Sequence, residues 1–350
     1  MKIAVLVSGG VDSSVALKLL KDQGYDVEAF YIKIWLEDEL AFLGACPWEE
    51  DVRYVEQVCD QLEVSLNIIS LQQEYWDRVV SYVVAEEKVG RTSSPDVLCN
   101  QQIKFGVFFD AIGQEFEKIA SGHYAQIEER DGRFLLKRAV DPIKDQTYFL
   151  SRLTQKQMSR IMFPIGHLLK SQVREIAKES NLLTSERKDS QGVCFLGKIK
   201  FHDFLKHHLG TQFGDLVEYE TGKRVGEHEG FWFYTVGQRK GIKLSGGPWY
   251  VVKKDVKNNI VFVSNNYFSE DKPRDTFCVS NFNWIDGDVP EKSNLSVKIR
   301  HRQVTHSCTL SFDRQDSGMV TMSVCDQGIA PGQFAVFYDD QICLGSGVIE

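Results

Sequence analysis

The chain of 350 residues contains no apolar run approaching the roughly 20 residues that cross a bilayer, which argues against a membrane protein. Its N-terminus enters a strand-like run directly, without the charged segment, apolar core and cleavage site of a secretory leader, so export is not expected. Proline is scarce, with 8 residues, and no low-complexity tract occurs, which excludes a disordered or fibrous chain. Cysteine is also thin, with 8 residues at positions 46, 59, 99, 194, 278, 308, 325 and 343, too sparse for a disulfide scaffold. No two are spaced as CxxC and no zinc-type Cys/His pattern is found, so reduced thiols in a cytoplasmic protein are expected. A positive charge excess is missing as well: 41 Lys and Arg stand against 49 Asp and Glu, for a net charge of -8.

That total hides an uneven distribution. Residues 1–100 carry 8 basic and 18 acidic residues, whereas residues 130–210 carry 16 basic and 8 acidic. A local positive block can attract a polyanion where the average would repel it, although solvated helix faces rich in Lys and Arg give the same count.

What is present alternates. Lys2 to Val7 reads as a buried strand, followed by a glycine turn and a helix with Val15, Ala16, Leu19 and Leu20 on one face. Strand patterns recur at 27–34, 66–71 and 118–120, with helical patterns at 50–62, 72–88 and about 100–116 between them. Residues 154–182 read as two helices, with Ile161 and Met162 in the first. This rhythm predicts an α/β fold with a parallel sheet covered by helices on both faces. From about residue 210 the pattern becomes mostly β, with short runs such as 231–234, 249–252 and 260–263. Three units are expected, over 1–208, 209–275 and 276–350, the last a barrel or sandwich.

The sharpest local signal is Ser8-Gly9-Gly10-Val11-Asp12-Ser13-Ser14, between the first strand and its helix. Glycines let the backbone turn tightly and present N–H groups, and a helix N-terminus favours anions. The seryl hydroxyls add donors, and Asp12 is suited to hold Mg²⁺ against a polyphosphate. The GxxxxGK[ST] pattern of γ-phosphate transfer is absent. A second signal is Ser94-Pro95-Asp96-Val97-Leu98-Cys99: Pro95 fixes a helix entry, Asp96 is placed to cap it, and Cys99 falls in the first turn, where a helix N-terminus favours thiolate. A third is Asp189-Ser190-Gln191-Gly192-Val193-Cys194, within the basic block. Ordinary packing explains either cysteine alone; the other six stand in apolar or strand-like contexts that read as structural.

The SGGVDS string resembles the loop of the PP-loop ATP pyrophosphatases, and the whole chain resembles the tRNA-specific 2-thiouridylases. The second resemblance rests on SGGVDSS, SPDVLCN, SGHY (121–124), KDQTYFL (144–150), DSQGVCF (189–195), YTVGQRKG (234–241), PWYVV (248–252), VKIRHRQ (297–303) and the C-terminal run 331–349. It implies a PP-loop domain, a small central domain and a C-terminal β-barrel. It implies ATP and Mg²⁺, tRNA as substrate, a protein-borne persulfide donor and a monomer. Leu6, Val7, Ser8, Gly9, Gly10, Val11, Asp12 and Ser13 would bind nucleotide, with Ile32 and Gly122 beside the adenine. Cys99 would be the nucleophile, Cys194 the persulfide carrier and Asp96 an acid/base. Ser94, Pro95, Asp96, His123, Lys144, Asp145, Gln146, Arg300, His301 and Gln333 would contact tRNA. Ser94 stands where the family usually has Asn.

The implied chemistry replaces the C2 oxygen of the wobble uridine with sulfur. Adenylation turns that oxygen into part of a good leaving group, and a persulfide then delivers sulfur. A lysidine-type ligase and a non-catalytic ATP-responsive RNA binder use the same loop without needing either cysteine. An iron–sulfur cluster on Cys99, Cys194 and Asp96 is a further alternative, although the spacing lacks an Fe–S run. The segments 89–99 and 186–196 combine serine, charge and turn formers and are expected to be mobile loops.

Overall fold

The computed structural model describes residues 1–34, 48–112, 115–189, 199–266, 274–301, 304–314 and 316–350. Strand β1 (Lys2–Leu6) is central, and alternate side chains of a strand face opposite sides. Ile3 and Val5 join a core with Val15, Leu17 and Leu20 of helix α1 (Val11–Asp22), while Ala4 and Leu6 join a second core with Tyr75, Phe108 and Phe116. Cover on both faces is why β1 reads as an unbroken apolar run.

β2 (Asp26–Lys33) pairs parallel to one edge of β1, and β3 (Leu66–Ser70) to β2. Helix α2 (Trp48–Leu62) lies between β2 and β3 in sequence and faces inward through Val52, Val55, Val58 and Cys59. β4 (Lys118–Ser121) pairs parallel to the other edge of β1. A hairpin follows, β5 (Ala125–Arg130) and β6 (Arg133–Arg138), and then β7 (Ile161–Met162), giving the sheet order β3-β2-β1-β4-β7. Ile161 and Met162 are therefore strand, not helix. The exposed edge of β4 takes them up through Ile119↔Ile161, leaving one helical turn at Gln155–Met158. Helices over 72–88 and 95–111 each contain a π-helical stretch, Trp76–Val80 and Cys99–Val107. The second starts at Pro95, five residues earlier than periodicity suggests.

The central unit has β8 (Gly214–Glu218), β9 (Arg224–His228), β10 (Tyr250–Asp255) and β11 (Ile260–Ser264) in the order β10-β11-β8-β9. Phe231–Phe233 forms a 3₁₀ turn where a strand was expected. Phe231 and Trp232 are both buried in one core, which consecutive strand residues on opposite faces would not be.

The last unit resolves the choice between barrel and sandwich. β12 (Thr276–Trp284), β13 (Asn294–Lys298), β14 (His306–Arg314), β15 (Ser317–Met322), β16 (Phe334–Asp339) and β17 (Ile342–Ile349) run in the order β12-β15-β14-β13-β16-β17. The β12–β17 pairing closes the barrel, and β6 adds to β17 through Cys343↔Leu136. The hairpin of the first unit thus lies against the barrel, a junction with no sequence period of its own. A buried ion pair, Lys298 to Asp145 at 2.9 Å, crosses the same junction. No helix among the described residues is long and apolar enough to cross a membrane.

Candidate active site

Leu6 ends β1, Val7 is buried, and Ser8-Gly9-Gly10 turn into α1, whose N-cap residue Gly10 supplies no side-chain cap. The first-turn amides therefore lack both intrahelical and capping acceptors, the arrangement that binds anions. Gly9 has φ +74°, and a Cβ there would lie 2.8 Å from the Asp51 carbonyl oxygen, so position and conformation both require glycine. Inside the turn, the Ser8 amide donates to Ser13 Oγ at 3.2 Å, and the Ser13 and Ser14 hydroxyls donate to the Gly10 carbonyl at 3.1 and 2.9 Å.

Ser121 ends β4 opposite Leu6, and Gly122 follows; Ile32 lies near the end of β2. The ends of β1, β2 and β4 thus bring together all the residues expected to bind nucleotide. A Cβ on Gly122 would lie 2.7 Å from the Ser13 amide nitrogen and 2.8 Å from the Asp12 carbonyl carbon. Both obstacles are backbone, so the loop itself must shift. Gly122→Ala is expected to weaken ATP binding by about tenfold or more with the fold retained, checked by calorimetric titration and a melting curve.

The basic block folds onto this loop. Lys170 Nζ lies 2.6 Å from Asp12 Oδ1, 2.8 Å from Asp12 Oδ2 and 2.9 Å from Asp189 Oδ1. Asp189 also holds Lys144 at 2.6 Å and Arg174 at 2.8 Å. Partial burial opposes ionisation of Asp189, but hydrogen bonds from Lys144 and Lys170 outweigh it and hold its pKa down at about 2. Arg187 donates to the Gly9 carbonyl at 2.7 Å and pairs with Asp51. The Tyr124 hydroxyl donates to Asp12 Oδ1 at 2.9 Å.

Cys99 lies in a different environment from the one its sequence suggests. It is the fifth residue of the helical run from Pro95, at the start of the π-helical stretch, and is fully buried. Burial pushes its thiol pKa up; the nearby Lys104 charge opposes this and Asp96 adds to it. The expected thiolate at a helix start is thus overridden by desolvation. Ser94 takes the N-cap position without a side-chain capping bond, Pro95 is buried, and Asp96 sits inside the first turn rather than capping it. The segment from Pro95 onward is helix, not loop. Cys194 and Cys46 lie outside the described residues, as does most of 186–196. Cys59, Cys308 and Cys343 are buried as expected of structural cysteines, but Cys278 and Cys325 are exposed.

Most of the residues expected at tRNA gather at the seam between the nucleotide domain and the barrel. His301 packs against Phe149 at a tilt of 35°, with ring centroids 4.3 Å apart, and its Nε2 lies 3.2 Å from the Asp145 carbonyl oxygen. Burial lowers the His301 pKa, partly offset by the Asp145 contact and by Asp96. Gln146 receives the Tyr124 amide at 2.9 Å, and Arg300 pairs with Asp326. Gln333 is partly buried beside β17, its carbonyl accepting the Ile349 amide at 2.9 Å. The Asp145 side chain is 3% exposed and taken up by Lys298, Thr147 and the Ala139 amide. His123 bonds Ser121 at 2.8 Å and lies beside Phe105 and Phe163, and burial lowers its pKa well below the usual value. Tyr124 and Tyr148 are buried core residues.

Comparison with known proteins bears directly on this arrangement. Family models match residues 1–198 as a tRNA methyl transferase HUP domain, 202–265 as a tRNA methyl transferase PRC-barrel domain, and 274–349 as an aminomethyltransferase beta-barrel domain. A tRNA-specific 2-thiouridylase MnmA of Parabacteroides distasonis is 47% identical over 357 residues, covering 100% of this chain and 99% of that protein. The tRNA-specific 2-thiouridylase MnmA 1 of Bacteroides thetaiotaomicron is 45% identical over 355 residues, covering 100% and 99%. The chain belongs to the tRNA-specific 2-thiouridylase family.

Within this 2-thiouridylase, several residues at the site carry no signal in a local motif. Lys170, Arg174 and Arg187 lie around the nucleotide loop from distant positions outside every string quoted above, and only the paired excesses of acidic and basic charge hint at them; Asp189 and Tyr124, which join them, stand in DSQGVCF and SGHY. Lys104 is five residues after Cys99 within the π-helical stretch, whose hydrogen bonds span i to i+5. Asp12 is partly exposed at the loop and suits the usual Mg²⁺ arrangement, one carboxylate plus substrate phosphates. Among the described residues no three His, Cys, Asp or Glu side chains converge as a metal site.

Proposed function

We propose that this 2-thiouridylase replaces the C2 oxygen of the wobble uridine of tRNA with sulfur, consuming ATP and releasing AMP and pyrophosphate. The observation that carries this reading is the uncapped glycine loop at the sheet end, in a chain that matches 2-thiouridylases from end to end. In the first step the uracil O2 attacks the α-phosphorus and pyrophosphate leaves. The first-turn amides of α1 and the Ser8 and Ser13 hydroxyls hold the phosphates. Asp12 would hold Mg²⁺ together with the phosphates, and the ion would supply charge neutralisation there.

In the second step the terminal sulfur of a Cys194 persulfide attacks C2, and AMP departs with the former uracil oxygen. Cys99 thiolate then attacks Cys194 Sγ, which frees 2-thiouridine and leaves a Cys99–Cys194 disulfide for an external dithiol to reduce. A protein-borne persulfide recharges Cys194. Asp96 moves the proton as the base changes tautomer. Lys144, Gln146, Arg300, His301 and Gln333 contact the tRNA along the seam, and the chain works as a cytoplasmic monomer.

The test is incubation with ATP, a persulfide source and unmodified tRNA, followed by nucleoside mass spectrometry. The expected result is 2-thiouridine at the wobble position, with AMP and pyrophosphate released only when tRNA is present. A lysidine-type product, or RNA retention without AMP, overturns the reading.

A further inference from the structure

The cations around the nucleotide loop are not equivalent. Arg187 is fixed on the Gly9 carbonyl and Asp51, and Arg174 on Asp189 and the Ser185 and Arg187 carbonyls. Lys144 pairs with Asp189. Lys170 alone among these four touches Asp12, in the first turn of α1 beside the uncapped amides. Its backbone is fixed, because its amide donates to Asp141 Oδ2 at 2.9 Å as its helix begins. Its ammonium is mostly buried, with the side chain 13% exposed, and its three N–H donors match three carboxylate oxygens within 2.9 Å.

We propose that Lys170 is a phosphate-positioning residue of the nucleotide site, passing from Asp12 to the triphosphate when ATP binds. The proposal rests on the reading of residues 8–13 as the ATP loop. A carboxylate beside an anion loop repels polyphosphate unless a cation accompanies it, and Lys170 is already in place as a compact point charge. The exchange strands no carboxylate. Asp12 keeps the Tyr124 hydroxyl and is free to join Mg²⁺, while Asp189 keeps Lys144 and Arg174. None of the other three cations can leave Asp12, since none is on it. Lys170 therefore distinguishes a triphosphate from a monophosphate, because its charge lies at the loop and not at the adenine side.

The experiment compares binding of α,β-methylene-ATP and of AMP, each with Mg²⁺, to the full chain by calorimetry. Lys170→Met is expected to weaken the triphosphate analogue by about 10- to 100-fold and AMP by less than about threefold. Lys170→Arg is expected to retain more triphosphate affinity than Lys170→Met. Equal losses for the two ligands, or no loss, overturn the proposal, since a merely structural lysine would not separate them. If Lys170→Met does not fold, Lys170→Arg against wild type carries the same comparison, with a selective triphosphate loss expected and an equal or absent loss overturning it. Wild-type protein that binds neither nucleotide overturns the ATP-loop reading instead, and the proposal with it.

Discussion

Cys99→Ser is expected to lower 2-thiouridine formation by about 10³-fold or more while tRNA-dependent pyrophosphate release continues. In the proposed mechanism adenylation requires the loop at residues 8–13 and the uracil oxygen, not the thiol. The proposed resolution of a Cys194 mixed disulfide would require a thiolate, which a buried serine hydroxyl does not replace. The variant should therefore trap tRNA on Cys194 through C2, visible as a dithiothreitol-sensitive enzyme–tRNA adduct. Cys194→Ser should lose the product equally but form no such adduct. Full thiolation by Cys99→Ser would remove Cys99 from the mechanism. The burial of Cys99 adds a further consequence: with its thiol pKa raised, alkylation of Cys99 in the free enzyme should be slow, and tRNA should accelerate it if substrate opens this region. Quantitative peptide mapping after brief iodoacetamide treatment, with and without tRNA, measures this.

The sequence made the nucleotide loop legible because its signal is local: two glycines, three hydroxyls and a helix start within seven residues. The alternating strands and helices were equally open to reading, since both faces of the parallel sheet are buried. The helical position of Cys99 was legible, but its burial was not. A helix position is visible in sequence, whereas the desolvation contributed by a whole core is not. Asp145 shows the same limit: a charged residue in a KDQ string reads as exposed until Lys298, more than 150 residues later, is found beside it. Ile161 and Met162 failed for a related reason, because two apolar residues have no measurable period and the free edge of β4 decides their state. The acidic N-terminal stretch and the basic block are far apart in sequence. Asp12 and Asp51 belong to the first, and Lys170 and Arg187 to the second, and these meet at the loop. Part of the positive charge of the basic block is therefore engaged in ion pairs at the nucleotide loop.

Lys298→Met is expected to be the most destabilising single change among those considered, costing about 3–5 kcal/mol. Both members of the Lys298–Asp145 pair are 3% exposed, so solvent does not rescue the carboxylate once its cation is gone. Asp145 retains the Ala139 amide at 3.2 Å and the Thr147 hydroxyl at 2.9 Å, which satisfy hydrogen bonds but not charge. Adding Asp145→Asn to Lys298→Met should therefore recover at least about 2 kcal/mol, because the amide oxygen still accepts while the buried charge is gone. Urea denaturation of wild type, both single variants and the double variant measures the cycle; a double variant no more stable than Lys298→Met would show that the pair is not the source of the cost. The location makes the pair more than a packing detail. Lys298 belongs to the barrel, whereas Asp145 lies between Lys144, which holds Asp189, and Gln146, which holds Tyr124 and through it Asp12. Loss of the lysine should consequently weaken ATP binding as well as stability, since this ion pair is one of the buried contacts, with Thr147–Tyr338 and Tyr148–Phe334, that join the segment beside the nucleotide loop to the barrel.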